Sequence, residues 1–396
     1  MKLSTRLSNL VPGGDDGWGL FMKSREMVAA GVPVIELTIG EHDIRTDPTI
    51  LTAMAEAAQG GHTGYAAVPG TDDLRRKVAE RTEDRTGVPT GPENVLVTPG
   101  GQAALFAAHL AAIDAGQPAA YIDPYYATYP GTIRAAGGVP RPLVTRARDG
   151  FAPTAQGLAE VLPGCASLMI NTPNNPTGAV YDAATIDMIC AAVQAEDCWL
   201  ISDEVYDSQV WAGAHISPRA RPGMAERTFV VGSMSKSHAM TGSRCGWIIG
   251  PEDAIDHLIS LATHTTYGVP GFIQDAAVFA LEQGTAFEDK VGAPFRRRRQ
   301  LALDLLSQQT LVGHVPSGGA MYMMLDVQAT GLSGEAFAHS LLEAHHIAVM
   351  PGESFGAAAA GHLRVALTVD DDRLMDALRT LLEHAQTLTR QTVHAD

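Results

Sequence analysis

The chain has 396 residues, of which 45% are hydrophobic and 18% charged, a balance that supports one or two buried cores and excludes global disorder. Its 44 acidic residues against 28 basic ones give a formal net charge of -16, which disfavours nucleic acid or an anionic membrane as a partner, since both select a basic face. Four cysteines (Cys165, Cys190, Cys198, Cys245) without a Cys-x-x-Cys pair argue against a disulfide framework or a thiolate metal cage and for reduced, structural thiols.

In chain order, the first residues, MKLSTRLSNLVPGGDDGWG, carry no apolar signal core, and no later stretch of about 18 residues is apolar enough to span a bilayer. The expectation is a soluble, cytoplasmic protein. The glycine-rich residues 13–17 stand in no strand-turn-helix context and read as a loop. Beyond them, short β-branched or apolar runs alternate with longer helical segments, the pattern of a parallel sheet covered on both faces. The expected fold class is α/β. Asn94-Val95-Leu96-Val97 runs into Thr98-Pro99-Gly100-Gly101-Gln102, which opens a helical stretch from Ala103 to Ala115. Ala119 to Ile122 stops at Asp123-Pro124-Tyr125-Tyr126, and Ser167 to Ile170 stops at Asn171-Thr172-Pro173-Asn174-Asn175-Pro176-Thr177-Gly178. Trp199-Leu200-Ile201 stops at Ser202-Asp203-Glu204-Val205-Tyr206, and Phe229-Val230-Val231 at Gly232-Ser233-Met234-Ser235-Lys236. Five strands thus deliver polar or glycine-rich segments at their carboxyl ends, the edge at which open α/β sheets bind ligands.

The last third reads differently. A long amphipathic helix runs through Arg296–Arg299, followed by strand Tyr322-Met323-Met324-Leu325, helix Ser333 to Ala344, strands Ile347-Ala348-Val349 and Leu363-Arg364-Val365-Ala366, and a final helix from Asp371. This predicts a smaller α+β domain, residues 288–396 joined by residues 1–45, beside a large domain of residues 46–287. The four-arginine run reads as a solvated helix face, and Asp370 to Asp372, downstream of Arg364, as a helix start rather than a partner for Arg364. His109 and His345-His346 lie in apolar helical surroundings without metal-ligand spacing, so no metal is expected.

Only five lysines stand against 23 arginines, and Lys2, Lys23, Lys77 and Lys290 fall in polar, surface-like segments. Lys236 follows a buried-type strand, among small hydroxyl residues and near Arg244. A lysine desolvated beside another cation supplies the neutral amine that Schiff-base chemistry needs. A surface lysine in a turn would look the same locally, and the local context leaves both readings open.

The wider pattern separates them. Ser233-x-Ser235-Lys236 followed by Gly242-x-Arg244-x-Gly246 resembles the lysine motif of pyridoxal 5'-phosphate (PLP) aminotransferases of fold type I, class I/II. Asn174-Asn175-Pro176-Thr177-Gly178, Ser202-Asp203-Glu204-Val205-Tyr206 and Leu363-Arg364-Val365-Ala366 are similar to that family's other signatures, in the same order. The resemblance runs from Ile39-Gly40-Glu41 to Arg364. It implies a large PLP-binding domain, a smaller domain, and a homodimer.

The resemblance also assigns roles. PLP is expected covalently on Lys236, as an aldimine, with Lys236, Asp203 and Tyr206 as the catalytic set; Asp203 would keep the ring nitrogen protonated, and Tyr206 and Asn175 would donate to the ring oxygen. Backbone N–H groups of Gly101 and Gln102, the hydroxyls of Ser233 and Ser235, and Arg244 would take the phosphate. Tyr126 falls where an aromatic ring stacks on the cofactor, with a register that slips by one if Tyr125 serves instead. Tyr65 resembles the tyrosine that reaches the phosphate from the neighbouring subunit. Arg364, Asn175 and the backbone of Gly40 would hold the substrate carboxylate.

Two departures bear on specificity. Many bacterial aspartate aminotransferases of the nearest subgroup carry Gly-Gly-Lys where this chain has Gly100-Gly101-Gln102, which argues against a dedicated aspartate enzyme. The usual Gly-Glu-Pro-Asp-Phe reads Gly40-Glu41-His42-Asp43-Ile44-Arg45, so His42 and Arg45 are either substrate-facing or surface residues. The expected function is transfer of an α-amino group from an L-amino acid to a 2-oxo acid through pyridoxamine phosphate. A β-eliminating lyase shares the fold and residues and is the alternative; a non-catalytic PLP-binding protein is a more remote one.

Overall fold

The computed structural model describes residues 1–12 and 17–393. Residues 13–16, four of the five expected to form the glycine-rich loop, lie outside the described set. Twelve strands form among the described residues, in chain order β1 Ile35–Leu37, β2 Val95–Thr98, β3 Pro118–Asp123, β4 Val139–Val144, β5 Ser167–Asn171, β6 Trp199–Asp203, β7 Thr228–Ser233, β8 Gly246–Ile249, β9 Gly313–His314, β10 Tyr322–Asp326, β11 Ile347–Pro351 and β12 His362–Ala366.

Seven of them make one sheet in the order β2-β8-β7-β6-β5-β3-β4, in which β8 alone runs antiparallel to its neighbours. β2, β5 and β7 are buried at every position, as expected of strands with helices on both faces. On one face Leu96, Ile201, Phe229 and Ile248 pack with Ala104, Leu105 and Ala108 of helix Gly101–Ala112. On others, Val97 and Ile249 meet Val78 and Ala276, and Leu168 and Leu200 meet Ile186 and Ile189 of helix Ala183–Ala195. The helices start where short polar side chains supply caps: Asp47 accepts from the amide of Thr49, Thr71 from Leu74 and Asp182 from Thr185.

The second sheet has the order β1-β11-β12-β10-β9. β1, near the N-terminus, pairs in parallel with β11, while β12 lies antiparallel to both β10 and β11. Two segments far apart in sequence therefore share one core, in which Leu37, Met323, Phe337, Val349 and Leu378 are buried.

The arginine run differs from the solvated face expected of it. Arg298 is only 4% exposed and donates to both oxygens of Asp43, to Asp371 and to the carbonyl of Leu367. Arg299 donates to the carbonyl of Ser317, whereas Arg296 and Arg297 are largely exposed. Asp371 opens the last helix and pairs with Arg297 and Arg298. A helix turns about 100° per residue, so four consecutive arginines cannot share one face. The four cysteines are free and buried.

Candidate active site

The carboxyl ends of β2, β3, β5, β6 and β7 reach the same edge of the large sheet, because these strands run in one direction. A cavity of about 210 Å³ lies there, lined by Gly101, Gln102, Tyr126, Asn175, Asp203, Tyr206, Ser233, Ser235, Lys236 and Arg244 of the large-sheet segments, and by Gly40, Tyr322 and Arg364. All the predicted site residues except Tyr65 are on its walls. Tyr65 is 93% exposed and packs edge-on against Tyr267, outside this cavity. Of the Tyr125-Tyr126 pair, Tyr126 faces the cavity, while Tyr125 packs edge-on against Tyr121 and lines a separate, larger cleft.

Lys236 sits in the short helix Met234–Ser237, whose N-cap is Ser233, the last residue of β7; Ser233 Oγ accepts from the amide of Ser235. This fixes the lysine one turn beyond the strand. Its Nζ donates to the carbonyl of Gly40 and lies 5.9 Å from the centre of the Tyr206 ring. Gly40 is needed there, since a Cβ would overlap the hydroxyl of Tyr322.

Asp203 ends β6 and is 4% exposed. Its Oδ2 accepts from the Tyr129 hydroxyl at 2.7 Å and its Oδ1 from the amide of Val205 at 3.2 Å. Burial pushes its carboxyl up to about 6, against the pull of those two donors and of Lys236. Tyr206 is buried and shares a 3.0 Å hydrogen bond with the Tyr322 hydroxyl; burial, and the second phenol beside it, raise it well above the ordinary tyrosine range.

Arg364, in the middle of β12, is 1% exposed. Nη1 donates to Asn175 Oδ1 at 2.9 Å and Nη2 to the carbonyl of Thr38, while Nε is buried without a partner. The guanidinium is held between the rings of Tyr322 and Phe355, 4.5 and 4.3 Å from their centres. No carboxylate is paired with it among the described residues, its neighbours being an amide, a carbonyl and tyrosines, and burial lowers its pKa. A buried guanidinium so placed is short of an anion.

The opposite end of the cavity is built from backbone. Gly100 caps helix Gly101–Ala112 at φ +80°, a conformation open to glycine, and no side chain caps the first amides of this twelve-residue helix. A Cβ at Gly246 would stand 2.7 and 2.8 Å from the backbone of Gly100 and Gly101. Arg244 packs against Gly100 and donates to the carbonyl of Thr241 at 2.9 Å. The Gln102 side chain is turned to helix Tyr129–Ala136, with Nε2 on Thr132 at 2.9 Å and Oε1 accepting from Thr128 at 3.0 Å.

These residues fit PLP. An amine stands in the cavity wall, a buried carboxylate suits a protonated ring nitrogen, and a glycine cradle at an uncapped helix start, two serine hydroxyls and an arginine suit a phosphate dianion. The arrangement also contains groups that motif reading did not select: Tyr129 on Asp203, Tyr322 on Tyr206, and Asn171, whose Oδ1 accepts from the amide of Asn175 at 2.7 Å. Asn171 ends a strand next to a chosen motif and was within reach of that logic; Tyr129 and Tyr322 had no local signal. His42 is neither a clear substrate contact nor a surface group. Both ring nitrogens are buried without partners, the ring packs edge-on to Phe295, and burial, with Lys236 nearby, lowers it to about 3.

Residues 32–381 match the family described as aminotransferase class I and II. The chain is 36% identical over 382 residues to the arginine–pyruvate transaminase of Pseudomonas aeruginosa, covering 96% of this chain and 97% of that protein. It is 35% identical to the aspartate/prephenate aminotransferase of Thermus thermophilus, over 90% of this chain and 92% of the relative. The solved structure of Thermus thermophilus aspartate aminotransferase with maleate superposes with a TM-score of 0.90 at 32% identity, covering 97% of this chain and all of that one. With the match running across most of the chain, this chain is a member of the class I and II aminotransferase family, PLP-dependent enzymes of fold type I.

Proposed function

We propose that in this aminotransferase Lys236 is the residue bonded to PLP, Asp203 its ring-nitrogen partner and Arg364 the clamp for the α-carboxylate of both the amino acid and the 2-oxo acid. One observation carries the reading: the amine, the buried acid and the buried, carboxylate-free guanidinium line a single cavity of about 210 Å³. When bound, PLP supplies an aldehyde and an electron-accepting ring. Lys236 Nζ takes and returns the proton at the substrate Cα. Asp203 holds a proton on the ring nitrogen, Asn175 and Tyr206 orient the ring through its oxygen, Tyr126 covers one face, and Gly101, Gln102, Ser233, Ser235 and Arg244 hold the phosphate. Asn175 and Gly40 complete the carboxylate clamp.

The proposal extends to assembly and specificity. Tyr65, exposed beside Tyr267, is proposed to serve the partner's phosphate site in a homodimer. The four buried free thiols support a cytoplasmic location, and the two sheets support a division into residues 46–287 and residues 1–45 with 288–396. With an uncharged residue at 102, its amide already engaged by two threonines, the donor is proposed to be an L-amino acid other than a dedicated aspartate. The names of the relatives, arginine–pyruvate and aspartate/prephenate, mark the range to be searched.

The test is a screen of amino donors against pyruvate, 2-oxoglutarate, oxaloacetate and glyoxylate, following the bound chromophore. Turnover that requires an oxo acid supports the reading. A single amino acid giving pyruvate and ammonia without an acceptor would replace it with the lyase.

A further inference from the structure

Asp203 and Glu204 are adjacent in the chain and face opposite sides of one turn. Asp203 lines the active-site cavity, whereas Glu204 lines a second cavity of about 180 Å³ behind it, walled by Arg81, Arg85, Asp207, His215 and Trp247. Glu204 is 6% exposed and fully engaged. Its Oε1 accepts from Ser202 at 2.9 Å and Ser217 at 2.7 Å, and its Oε2 meets His215 Nε2 at 2.9 Å. The His215 side chain is 11% exposed and its Nδ1 is buried without a partner.

The other charges in this wall are already matched. Asp207 pairs with Arg81 at 2.7 Å and Arg85 at 2.8 Å, and both arginines also pair with Glu288 from helix Thr285–Leu306. Two guanidiniums and two carboxylates balance. Among the described residues Glu204 has His215 as its one directly paired counter-charge, with Arg219 acting on it at longer range.

A buried carboxylate one residue from the buried Asp203 opposes the ionisation of Asp203. Burial is the main force raising Asp203, and the charge of Glu204 adds to it. Burial pulls His215 down, but Glu204 and Asp207 outweigh both that and Arg85, so the ring is raised and its 2.9 Å contact with Glu204 favours the imidazolium.

We propose that His215 is a positioning residue for the active site: its imidazolium neutralises Glu204 from behind the turn and so keeps Asp203 ionised where the ring nitrogen sits. The proposal rests on the reading of Asp203 as the ring-nitrogen partner. Around His215 the charged groups are Glu204, Asp207 and Arg85, with Arg81 in the same cavity; around Asp203 they are Lys236 and Glu204, with Tyr129 as donor.

His215→Gln keeps a donor toward Glu204 and removes the charge, while Glu204→Gln removes the opposing charge and leaves the histidine. Two readouts are taken: the acid limb of kcat/KM in the holoenzyme, and the dissociation constant for PLP of refilled apoprotein at mildly acid pH. For His215→Gln the acid limb rises by about half to one pH unit and PLP is held about three- to tenfold less tightly. For Glu204→Gln the limb moves the other way, and the double variant returns to within about twofold of wild type in both readouts. A merely loosened turn would shift both single variants in the same direction and give no rescue. That result, or a His215→Gln variant with wild-type limb and PLP affinity, overturns the proposal. Asp203→Asn is run alongside: inactive Asp203→Asn with unaltered His215→Gln removes only this inference, whereas active Asp203→Asn removes the reading beneath it.

Discussion

The Tyr129 hydroxyl donates to Asp203 Oδ2 at 2.7 Å in the wall of the cavity, where both side chains are buried. A neutral donor on a buried carboxylate favours its charged form. Tyr129→Phe keeps the ring, which packs edge-on to Tyr126, and removes the donor. Since Asp203 already stands near 6, losing that bond raises it further. The acid limb of kcat/KM should move up by about one pH unit, with little change in melting temperature. An unmoved limb would mean that the bond does not act on the charge of Asp203.

Arg364 is sandwiched by two aromatic rings and bonded to neutral acceptors. Lysine cannot reproduce its planar fork. Arg364→Lys and Arg364→Ala should raise KM for the amino acid and the oxo acid alike, by about 100-fold or more, the weight of a charge-assisted bidentate contact. Steady-state kinetics with both substrates decide the matter; KM unchanged for either one would move the clamp elsewhere.

Gly246 lies where β8 crosses behind the glycine turn. Gly246→Ala brings a methyl group to 2.7–2.8 Å from the backbone of Gly100 and Gly101, so the turn has to shift. PLP affinity should fall by about tenfold or more while the rest of the fold survives, since a few tenths of an ångström are enough to misalign amides on a phosphate. Equilibrium dialysis of the apoprotein against PLP measures it.

His109 is fully buried in helix Gly101–Ala112, with neither ring nitrogen hydrogen-bonded. Burial lowers it to about 4, so the unfolded chain binds the proton first as pH falls below about 6.5, and stability drops between there and about 4. The group costs about 2 kcal/mol more at pH 5 than at pH 7. His109→Leu should therefore stabilise the protein more at pH 5 than at pH 7, as read by denaturant unfolding at the two pH values. Equal gains at both would show that the histidine is not held neutral.

Much of this architecture is legible in the sequence because the chemistry stands at the ends of apolar runs. Asp203 ends a strand and Asn175 and Lys236 each follow one within a few residues, and strands that point one way deliver them to one edge. What stays hidden depends on contacts across the chain. Tyr206 meets Tyr322 across 116 positions, and Arg298 finds Asp43 across 255. Nothing local marks which of four arginines turns inward. β4 reads poorly as a strand because Pro140 and Pro142 interrupt it, and it is tolerated at the sheet edge, where β3 is its one neighbour. β9, with two residues, is too short to carry an alternation.

Which amine carries the cofactor decides the chemistry of the whole site. Borohydride reduction of the holoenzyme, followed by proteolysis and mass spectrometry of the peptides, fixes the label covalently wherever PLP was attached. The prediction is one modified residue, Lys236, at close to one label per chain, and none in Lys236→Ala. A label on Lys2, Lys23, Lys77 or Lys290, or a reduced protein with no label, would contradict it.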